Sequence, residues 1–243
     1  MSRFFVPRES IKGNAILISG PEAHHMLDVM RLKKGEEVTA FDGEGKEYEG
    51  VIKEIKEKSL VVEIKETRDV SGKRKVLITI GQAIPKKEKM DYIIEKATEM
   101  GARSIIPIET ARSIVKIRPN GGKARLERWQ RIALEAAKQS GNPTVPKVER
   151  ISGFDEAIAK AGDYDLKILA CLDREAEDIK SVLRAYKPES VILFVGPEGD
   201  FTKEEIGKAK AAGARLVNLG NTVLKSDTAA LAMIAMINYE YEH

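Results

Sequence analysis

The spacing of apolar residues changes near residue 70, and this change constrains the fold of the 243-residue chain more than any other feature. Before it, short β-branched or alternating runs are separated by turn signals, which is typical of β-strands. After a polar bridge at 70–75, buried-strand patterns alternate with helical ones, which predicts βαβ units and a mainly parallel sheet. We therefore predict a small β-barrel over residues 1–70 and an α/β domain over residues 74–243.

The predicted barrel contains four strands and one helix. The Asp-Gly-Glu-Gly sequence at 42–45 indicates a hairpin turn between two of the strands. Pro21 suits the first position of the helix, where proline is favoured. The strands are predicted at Ala15–Ile18, Val38–Phe41, Tyr48–Ile52 and Leu60–Ile64, and the helix at Pro21–Leu32.

The α/β domain contains five predicted buried strands, at Val76–Ile80, Ser104–Ile108, Leu166–Leu172, Val191–Val195 and Arg215–Leu219. Helical faces run from Met90 to Ala97 and from Leu126 to Ala137. The last helix is apolar around almost its whole circumference, so it requires burial on more than one side. This predicts packing against its own domain and against a second subunit.

Composition excludes several classes of protein. The longest apolar run, Ala229–Ile237, is nine residues, about half of the ~20 needed to cross a bilayer. The N-terminal residues lack the pattern of a secretory signal, so a cytoplasmic protein is expected. The single cysteine, Cys171, lies in an apolar run, which predicts a buried small hydrophobe and neither an intrachain disulfide nor a cysteine metal cluster.

Basic residues are concentrated in the middle of the chain. Residues 71–150 carry 18 basic and 8 acidic side chains, a net charge of +10, whereas the whole chain carries only +3. Lys and Arg that neutralise phosphates dominate nucleic-acid affinity, so the segment suits a polyanionic partner. A solvated basic face gives the same pattern.

Two loops that follow predicted strands are the best candidates for a site. Gly196-Pro197-Glu198-Gly199 follows one strand, and Thr202 and Glu205 after it have capping-box spacing, which predicts that a helix begins there. The second loop starts at Gly220. Ligands bind at the carboxyl ends of strands in open α/β sheets, although an ordinary strand-to-helix turn has the same appearance. Neither a dinucleotide fingerprint nor a P-loop occurs.

Near the final helix, Ser226 or Asp227 is suited to cap its first turn. Together the two loops suit a ligand held by backbone groups in an apolar pocket.

The chain as a whole resembles the RsmE family, 16S ribosomal RNA methyltransferases of the SPOUT superfamily that act on N3 of a uridine. The resemblance rests, in order, on Arg3–Phe5, His24–Arg31, Glu95–Gly101, Arg112–Ser113, Trp129, Glu135–Ser140, Gly196–Gly199 and Leu219–Ala229.

The resemblance implies a PUA-like N-terminal barrel that helps to hold RNA and a C-terminal parallel-sheet domain with a trefoil knot. It also implies a homodimer and S-adenosylmethionine as cofactor. The implied cofactor-binding residues are Leu172, Gly196, Pro197, Glu198, Gly199, Leu219, Gly220, Leu224 and Ala229. The predicted RNA contacts are Arg3, His25, Arg31, Arg112, Lys116 and Gln139, of which Arg112 and Lys116 are predicted because they lie in the basic middle segment.

Methylation of uracil N3 requires removal of its proton and stabilisation of the resulting anion. Asp227 is a candidate base, although a capping role explains it equally well, and Lys225 and Arg3 are candidate cations, with Arg31 a further one. No zinc-ligand spacing occurs and the reaction needs no metal, so none is expected.

The chain departs from the family pattern at four positions. Thr222, Lys225 and Asn142 stand where the family usually has arginine, and Asp227 stands where it has glutamate. These substitutions leave the methyltransferase assignment intact. The leading interpretation is a dimeric rRNA uridine-N3 methyltransferase. The alternatives are a SPOUT enzyme acting on tRNA or on a ribose 2′-hydroxyl, and an RNA-binding assembly factor without catalysis.

Overall fold

The computed structural model of this chain describes residues 3–70, 72, 74–86, 89–113 and 122–242. Contacts between residues divide the chain into two units, each with its own sheet. The first unit comprises Met1–Lys73 and Ala137–Val145, and the second comprises Arg74–Ala136 and Pro146–His243. The polar bridge and the change in apolar spacing predict a boundary near residue 70. They do not predict that residues 137–145 belong to the first unit.

The first unit is built on a six-stranded sheet with the order β1-β4-β5-β6-β3-β2. Strands β1 and β4 are parallel, and the other neighbours are antiparallel. All four strands predicted from the sequence are present. The strands are β1 Arg3–Phe5, β2 Ile11–Lys12, β3 Ala15–Ser19, β4 Glu37–Phe41, β5 Lys46–Lys56 and β6 Ser59–Asp69.

The predicted hairpin between β4 and β5 is confirmed, and Asp42 explains its stability. The buried Asp42 carboxylate accepts hydrogen bonds from the backbone N–H groups of Glu44 and Lys46, at 2.9 and 3.0 Å. Gly43 has φ +78°, a backbone conformation that residues other than glycine rarely adopt. The same turn pairs with residues 143–145, because Val145 donates its N–H to the Gly43 carbonyl at 2.9 Å.

The helical segment of the first unit ends earlier than predicted. Helix α1 covers Gly20–His24 and continues as a π-helical turn over His25–Val29, whereas the sequence predicted a helix to Leu32. Arg31 has φ +57°, and the Leu32 N–H returns to the Met26 carbonyl at 2.9 Å. This is the left-handed termination that glycine usually supplies, so an arginine here is strained.

The second unit contains an eight-stranded sheet in which every recorded pair is parallel, as predicted. Its order is β10-β8-β7-β13-β11-β14-β12, with β9 pairing with β8. The strands are β7 Leu77–Ala83, β8 Ser104–Glu109, β9 Lys147–Val148, β10 Ser152–Gly153, β11 Leu166–Ala170, β12 Glu177–Asp178, β13 Ser190–Val195 and β14 Arg215–Asn218.

Helices cover both faces of this sheet. On one face α4 and α6 pack on a core that includes Phe154, Phe194 and Phe201. On the other, α7 contacts α2, α5, β7 and β13. The helices are α2 Lys89–Glu99, α3 Gly122–Ser140, α4 Phe154–Ala159, α5 Ile179–Ala185, α6 Lys203–Ala211 and α7 Ser226–Tyr241, with 3₁₀ turns at Arg8–Ser10 and Lys160–Asp163.

Within the described ranges no helix has the length and apolar character needed to cross a membrane. The apolar α7 buries Ala230, Met233, Ile234 and Ile237 completely within its own unit.

Gly81 allows the centre of this sheet to pack closely. It lies in β7, and a Cβ atom at this position would be 2.6 Å from Cδ1 of Phe194 and 2.9 Å from Cδ1 of Ile108. Both neighbours are fully buried, so neither has space into which it can withdraw. The sequence requires glycine here because of the aromatic ring on the adjacent strand.

We expect Gly81→Ala to lower the free energy of unfolding by about 1–3 kcal/mol, since it overpacks the core. Gly207→Ala is the matched control: Gly207 lies in α6 with open space around its Cα, so alanine should stabilise by about 0.5–1 kcal/mol. Urea unfolding followed by fluorescence of Trp129, the single tryptophan and a residue of the second unit, measures both. Equal stability of the two variants would contradict the proposed packing.

Candidate active site

A cavity of about 240 Å³ lies where β11, β13 and β14 end in the second unit. The carboxyl ends of parallel strands meet at one edge of a sheet, and this is where open α/β sheets bind ligands. The cavity is lined by Ala170–Leu172, Val195–Glu198, Asp200, Val217–Gly220, Thr222–Ser226 and Ala229. Its wall is therefore formed by three loops and the first turn of α7.

The structure brings together nearly all of the residues predicted to bind a cofactor. Leu172, Gly196, Pro197, Glu198, Leu219, Gly220, Leu224 and Ala229 line the cavity, and Gly199 is the single predicted residue that does not. Leu172 and Val223 are 64% and 72% exposed, so apolar side chains stand open to solvent at the cavity. Surfaces of this kind favour an apolar ligand group.

The cavity loop that begins at Gly196 is held in place by a chain of buried hydrogen bonds. The Gln82 amide donates from Nε2 to Ser226 Oγ at 2.9 Å, and the Ser226 hydroxyl donates to the Gly196 carbonyl at 2.5 Å. Both side chains are buried. At Gly196 a Cβ atom would be 3.2 Å from the Phe201 ring, so glycine permits the ring to close over the loop.

Asp200 connects two of the cavity loops. Its carboxylate accepts hydrogen bonds from the N–H groups of Leu172 and Phe201, at 2.9 and 2.8 Å. Its backbone has φ +58°, and aspartate tolerates this conformation better than most side chains. This role was not predicted from the sequence, although an aspartate directly after the Gly-Pro-Glu-Gly turn is a signal for it.

The predicted capping box after the first loop is confirmed. The Thr202 hydroxyl accepts the Glu205 N–H at 3.2 Å, and a Glu205 oxygen accepts the Thr202 N–H at 2.8 Å. The other Glu205 oxygen accepts the N–H of Ala111 at 2.8 Å. The start of α6 is thus joined to the residues that follow β8.

The expected cap of α7 is wrong. Lys225 is the N-cap residue and makes no side-chain capping hydrogen bond. Ser226 instead bonds Gly196, and the Asp227 carboxylate lies 3.2 Å from Nζ of Lys89. Tertiary partners outcompete the local backbone for both side chains.

Lys89, whose role was not predicted from the sequence either, lies between two carboxylates. Its Nζ is 3.2 Å from Oδ1 of Asp227 and 4.0 Å from Oε1 of Glu198. The three side chains are between a fifth and a third exposed. A cation thus stands next to the candidate base, and the available signal was its position just after β7.

Four other predicted residues lie in the first unit. The guanidinium of Arg3 pairs with Glu47 and lies 5.8 Å from the centre of the Phe41 ring. His25 stacks edge-on against Phe4, and Arg31 and Gln139 are exposed.

The last two predicted RNA contacts follow β8. Lys116 lies outside the described residues. Arg112 belongs to the second unit, where its Nη1 donates to the carbonyls of Gly199 and Phe201.

Cys171 is buried, as predicted, and contributes to the cavity wall. Burial raises the pKa of its thiol to about 11, and the negative charges of Asp200 and Asp173 act in the same direction. The thiol is therefore neutral at physiological pH. Over the described part of the chain, no group of three or more His, Cys, Asp or Glu side chains is arranged to hold a metal ion.

Comparison with known proteins defines the class. An RNA methyltransferase domain family matches residues 72–238, and an RNA methyltransferase PUA domain family matches residues 18–65. The PUA match lies within the first unit, which is thus PUA-like, and the methyltransferase match covers most of the second. A parallel-sheet domain with a cavity at its carboxyl edge agrees with that class.

Several relatives match over nearly the whole of this chain. The ribosomal RNA small subunit methyltransferase E of Bacillus subtilis is 28% identical over 100% of this chain and 98% of its own, and that of Synechocystis is 29% identical over 97% and 77%. The crystal structure of the Neisseria gonorrhoeae enzyme of that name, bound to S-adenosyl methionine, is 30% identical with a TM-score of 0.86, covering 99% of this chain and 98% of that one. The chain belongs to the RsmE family of RNA methyltransferases.

The raised thiol pKa predicts slow alkylation of Cys171. At pH 8 its thiolate fraction is about 100-fold below that of an ordinary cysteine, so reaction with iodoacetamide should be slower by at least about that factor. The rate should rise with pH up to about 11, because the thiolate is the reacting form. The same chain unfolded in urea is the control, as Cys171 is its single cysteine. Equal rates for folded and unfolded protein at pH 8 would contradict the prediction.

Proposed function

We propose that this chain transfers the methyl group of S-adenosylmethionine to N3 of a uridine in 16S ribosomal RNA. The observation that carries the proposal is the cavity at the carboxyl edge of the parallel sheet, whose wall includes the two glycine loops, in a chain of the RsmE family. The RsmE relative from Neisseria gonorrhoeae binds S-adenosyl methionine.

The residues present suit this cofactor. S-adenosylmethionine supplies an electrophilic methyl group on a sulfonium when bound. Main-chain groups at Gly196, Leu219 and Gly220 offer donors and acceptors for an adenine, and Leu172 and Leu224 offer apolar contact. The knot implied by the family resemblance remains part of this proposal.

Asp227 is the proposed base that accepts the proton of uracil N3. The Lys89 ammonium, 3.2 Å from Oδ1, orients the carboxylate and supports the negative charge that develops on the uracil. Lys225 is exposed at the start of α7 and is the second proposed cation. Arg3 is the less favoured candidate, because Glu47 already neutralises it.

The PUA-like unit is the proposed holder of the RNA, through His25, Arg31 and Gln139. The strained φ of Arg31 supports this role, because backbone strain is retained where it serves a function.

We further propose a cytoplasmic homodimer. On α7, Tyr239 is 77% exposed and Ala235 is exposed beside it, and on α2 Tyr92 is 48% exposed. These apolar and aromatic groups suit burial against a second copy.

The proposed reaction is tested on small ribosomal subunits and on free 16S rRNA from a strain that lacks this gene. Incubation with S-adenosylmethionine labelled in its methyl group, followed by nuclease digestion and mass spectrometry, should yield labelled 3-methyluridine. Transfer RNA is the parallel substrate. Label in a 2′-O-methyl nucleoside, in tRNA alone or in no nucleoside contradicts the proposal.

In the same assay, Asp227→Asn should lower kcat by about 10²–10⁴-fold, the range for loss of a general base. Its Kd for S-adenosylmethionine should stay within about twofold of the wild type. Asp155→Asn is the matched control, since Asp155 also pairs with a lysine, Lys208 at 3.0 Å, but on α4. An unchanged kcat for Asp227→Asn removes Asp227 as the base.

Arg31→Gly should separate RNA binding from stability. Glycine relieves the left-handed strain, so the first unit should gain about 1 kcal/mol in unfolding free energy, while RNA affinity falls by about tenfold. Lys12→Ala, an exposed lysine of β2, controls for loss of charge. Urea unfolding by circular dichroism and filter binding of 16S rRNA fragments measure the two effects. Wild-type RNA affinity in Arg31→Gly would exclude the contact.

A further inference from the structure

The Gly196–Phe201 loop contains little that would hold its shape by itself. Two hydrogen bonds lie within it, from the Asp200 N–H to the Pro197 carbonyl at 3.0 Å and from the Phe201 N–H to the Asp200 carboxylate at 2.8 Å, and neither engages the carbonyl of Gly199 or of Phe201. Gly199 is exposed, and Asp200 has a left-handed backbone. The carbonyls of Gly199 and Phe201 therefore need partners from outside the loop if the cavity wall is to keep one geometry.

Arg112 supplies these partners. Its Nη1 donates to the Gly199 carbonyl at 2.7 Å and to the Phe201 carbonyl at 3.2 Å. Its side chain also lies along Gly199, since a Cβ added there would be 3.5 Å from Cδ of Arg112. A charged donor shared between two neutral acceptors makes stronger hydrogen bonds than a neutral one.

The backbone that presents Arg112 is itself anchored. The Thr110 N–H donates to Ser113 Oγ at 3.0 Å, and the Ser113 N–H donates to the Thr110 carbonyl at 3.1 Å. Thr110 and Ser113 are 2% and 4% exposed. Between them, Ala111 donates its N–H to Glu205 at 2.8 Å. The guanidinium thus extends from a buried turn at the carboxyl end of β8.

We propose that Arg112 is a positioning residue for the cofactor loop, holding Gly199 and Phe201 so that Gly196–Glu198 keeps the shape that receives S-adenosylmethionine. The basic middle segment predicted an RNA contact for Arg112, but Nη1 of its guanidinium already donates to two loop carbonyls. The inference rests on the proposed function, since it presumes that the cavity binds S-adenosylmethionine.

Calorimetric titration of the full chain with S-adenosylmethionine, without RNA, tests the role. Arg112→Ala should raise the Kd by about tenfold, the effect of losing charged hydrogen bonds that preorganise a site. Arg112→Lys keeps the charge but not the planar guanidinium, so its Kd should stay several-fold above the wild type. Arg103→Ala, an exposed arginine just before β8, is the matched control and should bind as the wild type does.

The outcomes separate the possible roles. An unchanged cofactor Kd in Arg112→Ala, with a raised KM for RNA that Arg112→Lys restores, overturns the inference and assigns Arg112 to RNA. A lower unfolding temperature with an unchanged cofactor Kd overturns it in favour of a purely structural role. If the wild type binds no S-adenosylmethionine, the proposed function itself fails and the inference fails with it.

Discussion

The buried hydrogen-bond chain Gln82–Ser226–Gly196 is the contact on which the candidate site depends. A serine hydroxyl has one proton, and here it is given to the Gly196 carbonyl, so Ser226 Oγ must accept from the Gln82 amide. A carboxylate in place of Gln82 would have no proton to give. These hydrogen bonds join β7, the loop after β13 and the first turn of α7, three elements far apart in sequence. They fix the position of the cavity wall at Gly196.

A cavity wall made of loops constrains the amino-acid sequence weakly wherever it offers main-chain groups to a ligand. Carbonyl and N–H groups are present at every residue, so such a wall depends on where the loops run more than on which side chains they carry. The Neisseria gonorrhoeae relative shares 30% of its residues with this chain and has a TM-score of 0.86. The side chains that matter most are then those that hold the loops: Ser226, Asp200 and Glu205, each bonded to backbone groups of a different segment.

The elements with repeating patterns were predicted from the sequence, because burial on one or two faces imposes a period on apolar residues. The capping box at Thr202 is also local and was found. The π-helical turn at His25–Val29, the missing cap of α7 and the roles of Lys89 and Asp200 were not. Each depends on a partner outside its own segment, or on a backbone hydrogen bond that leaves no periodic pattern of apolar residues. Two-residue strands such as β9, β10 and β12 are too short to show such a pattern.

The proposed chemistry places one demand on the charges around Asp227. A carboxylate is a weaker base than the uracil anion it must generate, so proton transfer is favourable only if the new anion is stabilised more than the carboxylate was. The negative charge moves from Asp227 to the uracil, while Lys89 and Lys225 keep their positive charges. The cation that faced the carboxylate can then turn toward the new anion. Lysine suits this exchange better than arginine, because a flexible ammonium follows the charge whereas a bidentate guanidinium would hold the carboxylate in place.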